Sequence, residues 1–294
     1  MTLTAHLPTS LRLPAPAKLN LFLHITGQRA DGYHNLQTIF QLIDRYDWLT
    51  FQLNDSQAND SGEIVFSSAF DLEPASNLIL RAAKLLQQHS GTTQGCSIHL
   101  EKHLPVGGGV GGGSSDAATT LIGLNHLWQL GYSLAELAQL GLQLGADVPV
   151  FIWGRNAWAE GVGESITPLD LPASAYIVLK PDCFISTGDL FSQQLLTRNT
   201  PVTTFAAYQS QPALFGNNFE PVVRQLYPAA AEALDYLSVF GHARLTGTGA
   251  CVFIAVTPAM NPQHILDNAP CAGFICQGLD QSPVHQQLGL LVTC

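Results

Sequence analysis

Seven positions, Gly107 to Gly113, hold six glycines interrupted only by Val110, and they open directly into Ser114-Ser115-Asp116 and an apolar-periodic stretch. Ordering so much glycine is costly, because each loses more backbone freedom on folding than any other residue. The cost is understandable where several backbone N–H groups must converge at close range, with a helix N-terminus behind them adding roughly half a positive charge. The segment therefore predicts a phosphate cradle between a strand and a helix. Cys96, Ile98 and Leu100 alternate as the strand, and Ala117, Ala118, Leu121, Leu124 and Trp128 recur at helical spacing. Gly107, Gly109 and Gly112 also fit Gly-x-Gly-x-x-Gly, a pattern that on its own invites a dinucleotide site. That alternative needs an acidic residue closing a second strand about 20 residues on, whereas positions 117–145 read as two helices. A Walker A loop fails, since Asp116 follows the serines where Gly-Lys-Ser/Thr is required.

Charge narrows what can fill the cradle. Twelve Lys+Arg against 22 Asp+Glu give a net charge of −10, and charged residues are 12% of the 294, about half the usual share. A broad grip on nucleic-acid backbone is excluded, so an anion must be held by backbone N–H groups and a few cationic side chains. The six cysteines, Cys96, Cys183, Cys251, Cys271, Cys276 and Cys294, show no Cys-x-x-Cys or His-x3-His spacing, and reduced thiols are expected. Met1 to Pro16 carries no signal-peptide pattern, and the longest apolar run, Ala250 to Val256, falls far short of the about 20 residues a membrane span needs. The expectation is a cytoplasmic protein, monomer or weak homodimer, with neither membrane nor nucleic acid as partner.

Along the chain, Leu19, Leu21, Leu23 and Ile25 alternate as a strand, followed by a second β segment from Thr38 to Leu53. Asn54 to Gly62 reads as a solvated loop in which Asp55 and Asp60 are surface charge. Ser76 or Asn77 caps a helix that stops near Gly91, and Ser133-Leu134-Ala135-Glu136 is a capping box opening a helix to Gly145. Val150 to Trp153 and Ala157 to Ala159 read as β-rich. A boundary near residue 165 divides the chain into units 1–165 and 166–294. The second has strands at Ala175 to Leu179, Cys251 to Val256 and near Phe274, with helices around Leu190, Ala229 to Phe240 and Pro262 to Asp267. Strands and helices that do not alternate strictly place the fold in the α+β class.

Lys18 sits in the first strand, where a lone lysine is ordinarily a solvated edge charge. Asp147, in Gly145-Ala146-Asp147-Val148-Pro149, is by itself an ordinary helix cap. Beside a phosphate loop the two gain a chemical meaning, because phosphorylating an alcohol with ATP needs an acceptor for its proton and a cation for developing charge. Tyr33-His34 offers an aromatic face next to a hydrogen-bonding imidazole, which suits a nucleobase.

Five ordered segments carry a resemblance: Pro16-Ala17-Lys18-Leu19-Asn20-Leu21, Arg29-Ala30-Asp31-Gly32-Tyr33-His34, the run from Leu104 to Ala118, Gly145 to Pro149, and Leu245-Thr246-Gly247-Thr248-Gly249-Ala250. Together they resemble the motif set of the 4-diphosphocytidyl-2-C-methyl-D-erythritol kinase family within the GHMP kinase superfamily. The resemblance implies a GHMP kinase fold, with a ribosomal-S5-domain-2-like N-terminal domain and a ferredoxin-like C-terminal domain. It implies transfer of the ATP γ-phosphoryl group to the 2-hydroxyl of a cytidine diphosphate-linked methylerythritol, in non-mevalonate isoprenoid biosynthesis. Asp147 would be the general base, Lys18 would hold it in register, and Asn20 would orient the alcohol. Tyr33 and Phe191 would sandwich the cytosine, with His34 reading its edge and Thr187 nearby. Pro105, Val106, Gly107, Gly108, Gly109, Val110, Gly111, Gly112, Gly113, Ser114 and Ser115 would cradle ATP, whose adenosine would meet Asn77, Leu78 and Lys102. Many relatives have Gly-Leu-Gly-Ser-Ser-Ala, so the protein ligand of the Mg2+ that arrives with ATP is left open. Another GHMP kinase, such as mevalonate or homoserine kinase, would share the loop but not Tyr33, His34 and Phe191. A non-catalytic nucleotide-binding module would have no use for both Lys18 and Asp147.

Overall fold

A computed structural model describes residues 9–54, 62–70 and 76–290; Asp55, Asp60, Cys294 and residues 1–8 lie outside them. The chain opens with a long antiparallel hairpin, β1 (Ser10–Gln28) and β2 (His34–Leu53). Gly32, with φ +88°, turns it, and Asp31 Oδ1 accepts from the Tyr33 N–H. Both strands outrun the alternating segments of the sequence, since β1 is buried on both faces from Leu13 to Leu23 and a two-sided strand need not alternate. Register shifts at Pro16/Ala17, Asn20/Leu23 and Ile25/Gly27 bend the hairpin and re-aim its side chains.

β3 (Ile64–Ser68) and β4 (Cys96–Glu101) are parallel and joined by α1 (Leu78–Ser90). Asn77 is the N-cap of α1, its Oδ1 accepting from the N–H groups of Ile79 and Leu80, and left-handed Gly91 ends it. Next comes α2 (Gly112–Leu127), which begins inside the glycine run, and then α3 (Leu134–Leu142), which has the expected capping box of Ser133 and Glu136. The segment read as β-rich after Asp147 is instead α4 (Val148–Trp153). Its β-branched residues misdirect the reading, but Pro149 is well placed in a first turn, left-handed Gly154 stops the helix, and Val148, Val150, Phe151 and Ile152 are all buried. β5 (Ala157–Gly161) and β6 (Ser165–Pro168) form a hairpin against β2.

The rest of the chain comprises β7 (Ala175–Leu179), α5 (Thr187–Ser192), α6 (Phe205–Ser210), α7 (Glu220–Leu226), α8 (Pro228–Ser238), β8 (Arg244–Leu245), β9 (Val252–Ala255), α9 (Pro262–Asp267), β10 (Gly273–Leu279) and α10 (Pro283–Leu288). The main sheet runs β3-β4-β2-β10-β7-β9-β8. The join is β10, antiparallel to β7 along its length and to β2 at Gly278 and Leu279. Helices α1 to α4 cover one core around Leu13, Phe51, Leu86 and Leu121, and a second gathers Ile177, Phe219, Val223, Leu234 and Ile254. Each such buried side chain contributes about 1.5–3 kcal/mol relative to exposure. The chain exchanges segments between the cores: Leu23 and Ile25 lie in the second, while Val284 of α10 returns to the first. An α+β layering results, as the order of elements suggests.

Candidate active site

On the side away from β2, β1 presents its edge to two glycine loops, Gly107–Gly113 and Thr246–Gly249. The Lys18 N–H donates to Val110 O at 2.9 Å, and the Asn20 N–H to Thr246 Oγ1 at 3.1 Å. The loops clasp each other: Ala250 N–H donates to Gly107 O at 3.2 Å and Cys251 N–H to Gly108 O at 3.1 Å. Gly107, Gly109 and Gly111 alternate in the left-handed region, with φ of +68°, +73° and +75°. A Cβ on Gly109 would stand 2.1 Å from Thr246 O, so glycine is required there by conformation and contact together. Of the first turn of α2, the N–H groups of Gly112, Gly113 and Ser114 precede the first intrahelical bond, which runs from Ser115 N–H to Gly111 O at 2.9 Å. These donors and the positive end of a 16-residue helix make an anion site.

Lys18 is almost wholly buried, 2% exposed, contrary to the ordinary expectation for an edge lysine. Its three donors are all directed: to Asn20 Oδ1 at 2.6 Å, to Gly109 O at 2.8 Å and toward Asp147 Oδ2 at 3.4 Å. Burial pulls its pKa below the usual lysine range, and Asp147 offsets only part of that pull. Asp147 stands at the N-cap position of α4 but makes no capping bond. Its carboxylate faces the lysine instead. Asn20 Oδ1 also accepts from Gly247 N–H at 2.9 Å, and its Nδ2 donates to Thr38 Oγ1 at 2.9 Å.

Lys18, Asn20, Thr38, Asp147 and Gly107 to Gly113 line one cavity of about 1220 Å3, which gathers every residue expected of the site except Ser115. Ser115 lies fully buried behind the loop, its N–H used in the helix and its hydroxyl without a partner among the described residues. Asn77, Leu78, Lys102, Pro105 and Val106 line the cavity as well, Lys102 Nζ lying 3.2 Å from where a Cβ on Gly112 would stand, and Gly107 packs under the ring of Phe184. His34, also on the cavity wall, stacks on Phe191, ring centroids 4.7 Å apart, and Arg198 Nε donates to His34 Nε2 at 3.3 Å. Burial, with Arg198 adding to it, lowers the His34 pKa. Tyr33 and Phe191, expected to sandwich the cytosine, both line the cavity. Phe191 has one face on His34 and its edge against Phe219, while Tyr33, in the turn before β2, is 66% exposed at the rim. Thr187 Oγ1 and Thr248 Oγ1 are 2.9 Å apart, joining α5 to the second loop.

Sequence reasoning did not single out Thr38, Asp47, Asn217, Arg198, Phe219 or the side chain of Thr246. Asn217 clamps the second loop by donating to Leu245 O at 2.9 Å and Gly247 O at 2.7 Å. Only the Thr246–Gly249 motif hinted at this loop, since the others are isolated polar or apolar residues with no local pattern.

Comparison with known proteins matches residues 77–155 to the GHMP kinases N terminal domain and residues 203–275 to the GHMP kinases C terminal family. The 4-diphosphocytidyl-2-C-methyl-D-erythritol kinase of Acinetobacter baumannii is 56% identical over 275 residues, covering 94% of this chain and 98% of that protein. Its counterpart in Alcanivorax borkumensis is 50% identical over 289 residues, covering 95% and 94%. A crystal structure of 4-(cytidine 5'-diphospho)-2C-methyl-D-erythritol kinase superposes with a TM-score of 0.77 at 29% identity, over 91% of this chain and 99% of that one. Likeness of this degree over nearly the full length, on a cleft built from both halves, means that the chain belongs to the 4-diphosphocytidyl-2-C-methyl-D-erythritol kinase family of GHMP kinases.

Proposed function

We propose that this protein transfers the γ-phosphoryl group of ATP to the 2-hydroxyl of 4-diphosphocytidyl-2-C-methyl-D-erythritol, giving the 2-phosphate and ADP in isoprenoid precursor biosynthesis. The observation that carries the chemistry is the Lys18–Asp147 pair, 3.4 Å apart, beside an anion site made of backbone donors. Asp147 accepts the proton of the attacking hydroxyl, and Lys18 orients that carboxylate and favours the developing alkoxide. Asn20 keeps the lysine in register through its 2.6 Å bond, next to the sugar-like alcohol. The triphosphate lies along Gly107 to Ser114, with Ser115 supporting the turn from behind. Among the described residues no group of three or more His, Cys, Asp or Glu could hold a metal ion. Mg2+ needs no such group: arriving with ATP it would neutralise phosphate charge, with phosphate oxygens, water and one or two protein oxygens sufficient for its coordination.

The cytosine belongs at the His34 end. Arg198 donates to His34 Nε2, which leaves a neutral ring carrying its proton on Nδ1, a donor suited to the ring nitrogen or carbonyl of cytosine. Phe191 and Tyr33 supply stacking faces once His34 has moved off Phe191, and Thr187 borders the same end. We divide the chain near residue 165, a reading supported by the two family matches falling on either side of it.

The test is ADP release with Mg-ATP and the cytidine substrate, with mevalonate, homoserine and galactose as parallel acceptors. Turnover confined to the cytidine compound supports the proposal; turnover with another alcohol instead overturns the assignment of Tyr33, His34 and Phe191. Asp147→Asn should abolish turnover with ATP binding near normal, and a variant retaining more than about a tenth of kcat would remove Asp147 as the base.

A further inference from the structure

Asn20 holds more than Lys18. Its side chain is buried, and its Oδ1 accepts from Lys18 Nζ at 2.6 Å within β1 and from Gly247 N–H at 2.9 Å in the second glycine loop. One amide oxygen thus joins the ammonium to the loop, and whatever fixes that oxygen fixes both. At the other end of the amide, Nδ2 has one acceptor among the described residues, Thr38 Oγ1 at 2.9 Å.

Thr38, 1% exposed, is itself pinned. A bulge in β1 sets two residues, Leu21 and Phe22, against one of β2, Ile39. The Thr38 hydroxyl donates to Phe22 O at 2.5 Å. The ring of Phe22 packs against Trp158, Tyr208 and Phe215, with centroids 5.4, 5.6 and 5.4 Å away, which anchors that residue. A hydroxyl has one proton, and a carbonyl oxygen can only accept. The Thr38 proton is therefore committed to Phe22, and toward Asn20 the hydroxyl is an acceptor. The amide must then present Nδ2 to Thr38 and Oδ1 to Lys18 and Gly247, an orientation that satisfies all of these groups at once.

We propose that Thr38 is a positioning residue for phosphoryl transfer, its hydroxyl carrying the geometry of the β1 bulge through the Asn20 amide to Lys18 and to the Thr246–Gly249 loop. This rests on Lys18 and Asp147 being the pair that serves the reacting hydroxyl. With its hydroxyl engaged on both sides, Thr38 acts through Asn20 and not on the reacting atoms. Without that hydroxyl Nδ2 is a buried donor lacking a partner, a costlier state than the mere loss of a bond. Asn20 then turns toward another acceptor, Oδ1 leaves the ammonium, and Lys18 keeps only Gly109 O and Asp147. An acceptor on an ammonium favours its charged form, so losing one lowers further the pKa of a lysine that burial already lowers. The other titratable groups facing Lys18, Asp147 at the start of α4 and Cys251 before β9, are the same with or without Thr38.

The experiment titrates the resting protein by nitrogen NMR with labelled lysine, which gives signals only from Lys18, Lys84, Lys102 and Lys180, and Lys18→Met identifies the first of them. In Thr38→Val the Lys18 midpoint should come about one pH unit lower than in wild type. In the same variant kcat for ADP release should fall about tenfold, with KM for ATP within about twofold of wild type. Thr38→Ser keeps the hydroxyl and should restore both. A threonine that only fills space would lose stability on substitution while the lysine midpoint stayed in place; that result, or an equal loss of kcat in Thr38→Ser, overturns the proposal. Should Thr38→Val fail to fold, Thr38→Ala leaves room for water beside the orphaned amide and is read in the same way: a lower midpoint with at least about a threefold fall in kcat supports the proposal, and an unmoved midpoint overturns it. The titration needs no substrate, so absence of turnover with every acceptor would overturn the assignment of the reaction and leave this outcome legible by itself.

Discussion

Substituting Gly109 with alanine tests whether the clasp between the two loops sets the catalytic geometry. The new Cβ would lie 2.1 Å from Thr246 O and 3.0 Å from Gly249 O, so the first contact must open by about 0.9 Å to reach even the 3.0 Å that real side chains tolerate. The residue would also keep a φ of +73°, at about 1–2 kcal/mol for an L side chain. Loosening one or two bonds between the loops adds about 1 kcal/mol each, for a total loss near 3 kcal/mol. Gly109 O accepts from Lys18 Nζ at 2.8 Å and from Thr246 Oγ1 at 3.2 Å, so the displacement passes to the lysine that faces Asp147. A shift of about 1 Å at reacting groups lowers kcat about a hundredfold. Gly131 is the control, with φ +75° and nothing within 4 Å of its would-be Cβ. Gly131→Ala should lose the same 1–2 kcal/mol of strain in denaturant unfolding yet keep kcat for ADP release. Gly109→Ala with kcat within about threefold of wild type, or an equal fall in Gly131→Ala, would refute the argument that contact, beyond backbone strain, positions Lys18.

Two further outcomes follow from groups on the cavity wall. His34→Ala should raise KM for the cytidine substrate by more than KM for ATP in initial-rate kinetics, since it stacks on Phe191, the other residue assigned to the cytosine; equal effects would discredit the cytosine assignment. Burial raises the folded-state pKa of Asp116 to about 7, so its favourable contribution to stability is present below its unfolded value near 4 and lost as pH rises through about 7. His24, His34, His242 and His285, all lowered by burial, run the other way through the same window. They cancel when wild type and Asp116→Asn are compared, so the stability of the variant relative to wild type should grow from about pH 4 to about pH 7 in urea titrations and level off above. A difference independent of pH would mean that Asp116 stays ionised throughout.

How much of this was legible in the sequence depends on whether a residue's role is local. The caps of α1 and α3 are written in Asn77, Gly91, Ser133 and Glu136 because capping joins residues within one turn. The glycine run announces its loop for the same reason: the left-handed positions lie within five residues. Val150 to Trp153 reads as β because four apolar, partly β-branched residues have no period to distinguish a short buried helix from a strand. Lys18 and Asp147 were visible as residues but not as a pair, and nothing local says that a strand lysine is buried beside Gly109 and Asn20. Asp47 was invisible. It lies in a β segment among ordinary partners, and its role exists only because β2 brings it to Lys102 at 2.5 Å.

The same contrast explains how a chain with only twelve lysines and arginines handles a triphosphate and a diphosphate-linked alcohol together. Two of its lysines are in the cavity, and neither is free. Lys18 has its donors on Asn20, Gly109 and Asp147, and Lys102 is held between Asp47 and Asp116. The positive potential must then come chiefly from the helix end and the left-handed turns of Gly107 to Gly111, which aim backbone N–H groups without a side chain in the way. Backbone donors are fixed by the fold and lose little rotamer entropy on binding, whereas a surface lysine must first be ordered. A site of this kind depends on loop shape more than on charge. Substitutions that reshape the loops should therefore damage it more than neutralising any single exposed lysine or arginine.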